Sequence, residues 1–255
     1  MARRLTERRD QILKLLMKNG EVSVKRLLEE MQVSDETIRK DLMAMEEQGT
    51  IVRKHGRVLL AGNFGNAPSP MRAKENQAIK EKIAWETLKH IPVNENVYIG
   101  MDVGSTTWNV AKLLVKYTQP MIITNSLDIA NLYSNENNQN IYCAGGALMA
   151  HDRGFYGHWT NNNLKEIKMS IAIIGTSGIK DLSGLGAVSF MDRDVKKIFI
   201  SNSEYRIAVF DSGKFTHGAL IDAIPWEDID LVISDHGATS EQCQIIEEKT
   251  KLILV

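Results

Sequence analysis

Through the first fifty positions apolar residues recur at helical spacing. Beyond a glycine- and proline-rich break, short apolar runs alternate with amphipathic stretches. Ile12, Leu15 and Leu16 share one side of a segment from 6 to about 18, which stops before Asn19-Gly20. Ser23 is suited to cap a second short helix through about Met31, with Leu27, Leu28 and Met31 turned inward. After a turn at Gln32-Val33, Ser34 caps a third helix whose positive end suits Asp35 and Glu36, and which runs to Gln48 and stops at Gly49. Ile38, Leu42 and Met45 fall at i, i+4 and i+7 in it, one apolar stripe, while Thr37, Arg39 and Lys40 project from other faces near its start. Two short apolar-tending runs, 51–54 and 57–60, flank His55-Gly56 and predict a hairpin. Three helices and a small hairpin make a winged helix-turn-helix, whose third helix is the one that enters a DNA groove.

Residues 61–71 hold Gly62, Gly65, Pro68 and Pro70 with little apolar content and read as a linker. The stretch from 72 to about 90 is a strongly charged helix with Ile79, Ile83 and Leu88 on one side. Apolar runs follow at 97–101, 121–124, 141–144, 171–174, 207–210, 231–234 and 252–255, with helix-like segments such as 107–116, 127–134, 192–200 and 240–249 between them. That alternation predicts an α/β layer on a mostly parallel sheet. The expected organisation is a small α+β head at 1–60, a linker at 61–71 and an α/β body at 72–255.

Composition narrows the classes. At 255 residues, with 43% hydrophobic and 25% charged positions, the chain has ordinary soluble proportions. The net charge of −1 conceals a polarity: residues 1–60 carry 13 Lys and Arg against 10 Asp and Glu, and the remainder 18 against 22. The cationic excess therefore coincides with the helical head, as nucleic-acid binding requires. Cys143 and Cys243 form no disulfide framework and no zinc spacing, and are expected as reduced thiols. With no signal-like start and no long apolar run, the expected location is the cytoplasm, on the nucleoid when bound to DNA, with no membrane partner.

Chemistry collects where the body's strands end. After 97–101 comes Asp102-Val103-Gly104-Ser105-Thr106-Thr107 and then a helix, which gathers backbone N–H groups and three hydroxyls at a helix N-terminus, a cradle for an anion such as phosphate. The next runs lead into Asn125-Ser126, Gly145-Gly146 and Gly175-Thr176-Ser177-Gly178. In an open α/β sheet the ligand crevice lies outside the carboxyl ends of the strands, where these loops would converge. Each alone is also an ordinary turn or cap; their shared position is what favours a site.

These motifs resemble the DeoR family of bacterial transcription regulators over nearly the whole chain. In the head the likeness rests on Val33-Ser34, Thr37-Ile38-Arg39-Lys40-Asp41-Leu42, Gly49 and Arg53-Lys54-His55-Gly56. In the body it rests on the loops just named with Thr124, Val195-Lys196 and Asp211-Ser212-Gly213-Lys214-Phe215. The resemblance implies a body sharing its fold with ribose-5-phosphate isomerase, glucosamine-6-phosphate deaminase and coenzyme A transferases, and an effector that is a phosphorylated sugar or related intermediate. It implies phosphate at Gly104, Ser105, Thr106 and Thr107, with Asp102, Asn125 and Lys214 around the sugar and Lys196 and Asp211 nearby; Ser126, Gly145 and Gly146 complete the candidate set. The chain departs from the family's usual pattern at Gly56-Arg57, Gly184-Leu185-Gly186-Ala187 and Met191-Asp192.

In the head, Thr37, Arg39 and Lys40 are expected at base edges, with arginine suited to guanine, and Ser34, Arg53, Lys54, His55 and Arg57 at phosphates. The reading that follows is a sugar-phosphate-responsive repressor of a carbohydrate catabolism operon, without cofactor or metal, binding operator DNA as a homodimer or homotetramer. The alternative is an enzyme, a sugar-phosphate isomerase or deaminase fused to a DNA-binding head, for which Asp102, Asp192 or Lys214 would supply acid–base chemistry. A third is an architectural DNA-binding protein with no ligand, which leaves the body's anion loops without a purpose.

Overall fold

A computed structural model of the protein describes residues 2–19, 21–47, 51–54, 56–60, 75–92, 97–118, 120–179 and 183–255. The chain divides into two compact units, Met1–Ala67 and Pro68–Val255. The expected linker, the first residues of the charged helix, the Gly49 stop and His55 lie outside the described residues.

In the first unit α1 (Ala2–Asn19), β1 (Glu21–Ser23), α2 (Val24–Met31) and α3 (Asp35–Glu47) precede β2 (Ile51–Lys54) and β3 (Arg57–Leu60). Ser23 caps α2 by accepting from the Arg26 N–H, and Gln32 ends it in a left-handed conformation at φ 49°. The helices close on Ile12, Leu16, Leu27, Ile38, Leu42 and Met45, joined by Val22, Ile51 and Val58. The apolar stripe read along α3 is therefore its buried face. The wing carries one strand more than expected: β1 pairs antiparallel with β3 in the order β1–β3–β2. Three residues are too few for a recognisable alternation.

The second unit begins with α4 (Gln77–Leu88), β4 (Tyr98–Met101), α5 (Ser105–Tyr117), β5 (Met121–Thr124), α6 (Leu127–Asn135) and β6 (Ile141–Cys143). The hairpin β7 (Ala147–Met149) and β8 (Gly154–Tyr156) follows, then α7 (His158–Lys165), β9 (Met169–Ile174), β10 (Gly184–Ala187), α8 (Phe190–Ser201) and β11 (Ser203–Val209). The chain ends with β12 (Ile221–Pro225), β13 (Leu231–Ser234), α9 (Ser240–Glu247) and β14 (Lys251–Leu254). Seven strands form one sheet in the order β14–β13–β11–β9–β4–β5–β6, and every neighbouring pair is parallel.

Such strands are apolar on both sides because helices cover both faces. Ile171 and Ile173 of β9 pack with α4 and α5, while Ala172 and Ile174, one step along, face the cluster built on Phe199, Phe210 and Trp226. From β4 the chain adds β5 and β6 on one side, then returns to place β9, β11, β13 and β14 on the other. The direction of winding thus reverses between β4 and β9, and a crevice opens at the carboxyl end of such a reversal. The β7–β8 hairpin and the separate β10–β12 pair were not anticipated. Both are short antiparallel additions whose partners lie apart from the alternating pattern.

Candidate functional site

The two loops at the reversal are bonded to each other. Asp102, directly after β4, accepts the Gly175 N–H at 3.0 Å on Oδ1, and its Oδ2 takes the Lys196 ammonium from α8. Lys196 also donates to the Gly175 carbonyl at 3.1 Å and lies 3.5 Å from Asp192, one helical turn earlier. The side chains of Asp102 and Lys196 are 2% and 3% exposed. Burial pushes the Asp102 carboxyl up to about 6 against the opposing pull of Lys196 and the Gly175 N–H. Burial likewise lowers Lys196, but the charges of Asp102 and Asp192 outweigh it and hold the lysine above its ordinary value. At neutral pH the pair is a buried ion pair across the floor of the reversal.

Above that floor α5 begins at Gly104, in extended backbone, with no side-chain cap on its first turn. A helix start without a cap leaves N–H donors unpaired, with the positive end of the helix dipole behind them. Thr107 is fully buried, and its hydroxyl donates to the carbonyls of Asp102 and Gly104 at 3.1 and 3.0 Å. It braces the loop, so the hydroxyls at the helix end itself are those of Ser105 and Thr106. A Cβ at Gly104 would lie 2.9 Å from the Thr107 oxygen, so this brace requires a glycine. The combination of uncapped amides and small hydroxyl side chains is what a phosphate or carboxylate occupies.

The neighbouring strand ends supply the side walls. After β5, Asn125 donates to the Phe155 carbonyl at 3.1 Å and accepts the Phe155 N–H on its own carbonyl, so the β7–β8 hairpin is stapled to this loop. Asn125 Oδ1 is buried and has no hydrogen-bond partner among the described residues. A buried acceptor left open costs free energy that a ligand donor would recover. The Ser126 hydroxyl is a helix cap, accepting from the Ile129 N–H. After β6, Gly145 and Gly146 adopt φ values of 66° and 120°, and the Gly145 carbonyl accepts the Thr160 hydroxyl at 2.6 Å. They shape the wall rather than offer side chains.

After β11, Asp211 accepts the Gly213 N–H and the Asn76 amide at 3.2 and 3.0 Å. The half-buried Lys214 follows in the same turn, its carbonyl fixed by the Ile179 N–H. Asp192, read in the sequence as a departure from the family pattern and as an acid–base candidate of the enzyme alternative, stands here as a partner of Lys196 at i,i+4 spacing. Sequence reasoning missed Asn76, Gln77 and Asn109, which carry no motif. A separate cavity of about 650 Å³, lined by Lys197, Arg206, Asp222 and Asp228 among others, shares no residue with this crevice.

In the head, Ser34 accepts from the Thr37 N–H at 3.3 Å and bonds its hydroxyl at 2.8 Å, fixing the start of α3. Arg39 and Lys40 are exposed and held by carboxylates of their own helix, Asp35 at 2.7 Å and Glu36 at 2.7 Å. Arg53 on β2 pairs with Glu46, whose carboxyl this hydrogen bond holds below its ordinary value; Arg57 on β3 is exposed. His55 and the Lys54 side chain lie outside the described residues. Asp41, in the middle of the motif on α3, is buried and takes Arg8 and Arg9 of α1 at 2.5 and 3.1 Å. It is a brace between helices that a reading of surface cations overlooks.

A winged helix-turn-helix head and a body whose parallel sheet reverses its winding at an uncapped helix start meet in one chain. Residues 8–63 match the DeoR-like helix-turn-helix domain, and residues 75–236 the DeoR C terminal sensor domain. The chain belongs to the DeoR family. It is 31% identical to the glycerol-3-phosphate regulon repressor of Escherichia coli over 93% of this chain and 99% of that one. It is 27% identical to the lactose phosphotransferase system repressor of Staphylococcus epidermidis over 91% of this chain and 92% of that one. Among solved structures it is similar to ribose 5-phosphate isomerase A of Methanocaldococcus jannaschii at 18% identity, over 55% of each chain, with a TM-score of 0.40. That likeness is too distant to carry any residue's role across.

This DeoR-family chain is a DNA-binding transcription regulator. Its full-length relatives are named as repressors, so the isomerase or deaminase alternative is not favoured. Among the described residues no helix is long and apolar enough to cross a membrane.

Proposed function

We propose that the protein represses a carbohydrate catabolism operon and is controlled by a small phosphorylated carbohydrate seated on the first turn of α5. The observation that carries this is the uncapped start of α5 standing over the bonded Asp102–Gly175–Lys196 floor, at the one place where the sheet reverses. Phosphate would take the amides at Gly104, Ser105, Thr106 and Thr107. The open acceptor of Asn125 suits a sugar hydroxyl, with Lys214 and Asp211 on the opposite wall. Relatives named for glycerol 3-phosphate and lactose phosphotransferase regulons support the chemical class.

Thr37, Arg39 and Lys40 would read base edges, while Ser34, Arg53, Lys54, His55 and Arg57 would position the backbone. One head makes a small interface, so a homodimer or homotetramer on matched half-sites is the expected assembly. Control requires the effector to bind the DNA-competent and incompetent arrangements with different affinity, and α4 is the element that would transmit the difference. A thermal-shift panel of phosphorylated and unphosphorylated sugars and polyols tests the reading. A phosphorylated member at 100 times its dissociation constant raises stability by about 2.7 kcal/mol. Stabilisation by the unphosphorylated members alone refutes it, as does identical effector affinity with and without operator in calorimetry.

A further inference from the structure

Helix α4 is the first element of the body, and its opening turn is tied to both lips of the crevice. On one lip Asn76 Nδ2 donates to Asp211 Oδ1 at 3.0 Å, in the loop after β11. On the other, Gln77 Nε2 donates to Asn109 Oδ1 at 3.0 Å, and Asn109 donates onward to the Ser105 carbonyl at 2.8 Å, in the first turn of α5. Asp211 and Asn109 are 5% and 1% exposed, so both anchors are fixed from within. Strands β11 and β4 flank β9, and the bridge therefore spans the end of the strand that carries Gly175. Asn76 holds a left-handed backbone at φ 51°, and Lys80, itself buried, closes the turn by donating to the Glu75 carbonyl at 2.7 Å. In sequence this turn immediately follows the stretch that leads from the DNA-binding head.

We infer that Asn76 and Gln77 are positioning residues that convert occupation of the crevice into a displacement of the chain leading to the head. The inference rests on the phosphate reading of the crevice given above. An anion on the amides of 105–107 pulls on the turn whose Ser105 carbonyl is the acceptor for Asn109. A ligand hydroxyl at Asp211 competes with Asn76 for Oδ1. Either event alters a bond that the first turn of α4 makes. Ile83 and Ala84 anchor the rest of that helix in the core, so the response falls on residues 75–77. Such a bridge gives the ligand unequal affinity for two arrangements of the turn, which is the requirement for control.

The test uses the full chain as wild type and as the double variant Asn76→Gly, Gln77→Ala. Glycine keeps the left-handed backbone while removing the amide, and alanine keeps the helix. Inorganic phosphate and glycerol 3-phosphate are the probes, titrated by calorimetry. Operator affinity, on DNA the protein selects from a random pool, is read by fluorescence anisotropy with and without saturating probe. In the wild type the better probe changes operator affinity by about 5–150-fold. In the variant, probe affinity stays within about threefold of wild type while the change in operator affinity falls below about threefold. A variant that keeps the full response overturns the inference and leaves the crevice reading intact. A variant that loses probe binding, or loses operator binding without probe, also overturns it, because the two residues are then merely structural. A wild type that binds neither probe fails in a different arm and removes the crevice reading itself.

Discussion

Replacing Lys196 by methionine tests whether the crevice floor is a buried ion pair, because the substitution keeps the length of the side chain and deletes the charge. Asp102 then sits 2% exposed with the Gly175 N–H but no cation, and Asp192 loses the same partner. Removing one member of a buried pair typically costs about 3–5 kcal/mol. In the wild type the folded value of Asp102, about 6, lies above its ordinary 3.8. The contribution of this group is therefore fully present below about pH 4 and lost as pH rises through about 6, an effect of about 3 kcal/mol. In the variant the carboxyl keeps its proton to higher pH than in the wild type. Between pH 8 and pH 6 the variant's native state thus holds a proton that the wild type's lacks, and the penalty shrinks by about 1.4 kcal/mol per unit as pH falls.

The expected loss is about 3–5 kcal/mol at pH 8 and about 2–3 kcal/mol less at pH 5.5. Urea denaturation followed by tryptophan fluorescence measures it on the body alone, since all four tryptophans, at 85, 108, 159 and 226, lie there. Adding Asp102→Asn to the variant should recover most of the loss at pH 8 and flatten its pH dependence. Equal losses at both pH values, or a loss below about 1 kcal/mol, would refute the buried-pair account.

Arg39→Ala should weaken binding to a preferred operator by about 1–3 kcal/mol and relax the preference at one base pair, which a mobility-shift series over single-base operator variants reads directly. Ser105→Asp places a carboxylate at the start of α5, where the helix dipole favours it but a phosphate is repelled. The melting temperature should hold or rise while stabilisation by phosphorylated ligands disappears, and retained stabilisation would move the phosphate elsewhere. Gly100→Ala puts a methyl 2.6 Å from Phe199 Cδ1 in the centre of the sheet. Overpacking there should cost about 1–3 kcal/mol in urea denaturation, with operator binding unaffected at low denaturant.

What the sequence disclosed followed from period and position. The run at 121–124 is β5 and the run at 231–234 is β13, bounds included, because a strand covered on both faces is a short unbroken apolar run between polar loops. The uncapped start of α5 was legible as a candidate through its shared position with the other loops after strands, since glycine, serine and threonine there are also an ordinary turn and cap. Three kinds of feature were hidden. Short antiparallel additions were the first: β1 depends on a partner more than thirty residues along the chain, and the β7–β8 hairpin has strands of three residues, too short to show a period. Buried charge was the second: the resemblance put Lys196 near the sugar, but its interior place shows only in its 94-residue reach to Asp102. The third was bridging amides, since Asn76 and Gln77 acquire meaning only once the fold brings Asp211 and Asn109 beside them.

The head's arrangement bears on why more than one copy is expected on DNA. Arg39 and Lys40 are each paired with a carboxylate one turn earlier, and residues 1–60 carry 13 cations against 10 anions. Each such i,i+4 pair is worth about 0.2–0.5 kcal/mol, less than the roughly 1–3 kcal/mol of a matched base contact. Opening the pairs is therefore offset when the correct base is present. It is poorly offset on arbitrary sequence, where no matched base contact is gained. On the proposed reading this arrangement favours discrimination over general affinity. The homodimer or homotetramer proposed above would add affinity by joining two heads on properly spaced half-sites. A variant with Asp35→Asn and Glu36→Gln tests this: non-specific binding should rise, its salt dependence should steepen, and the ratio of specific to non-specific affinity should fall.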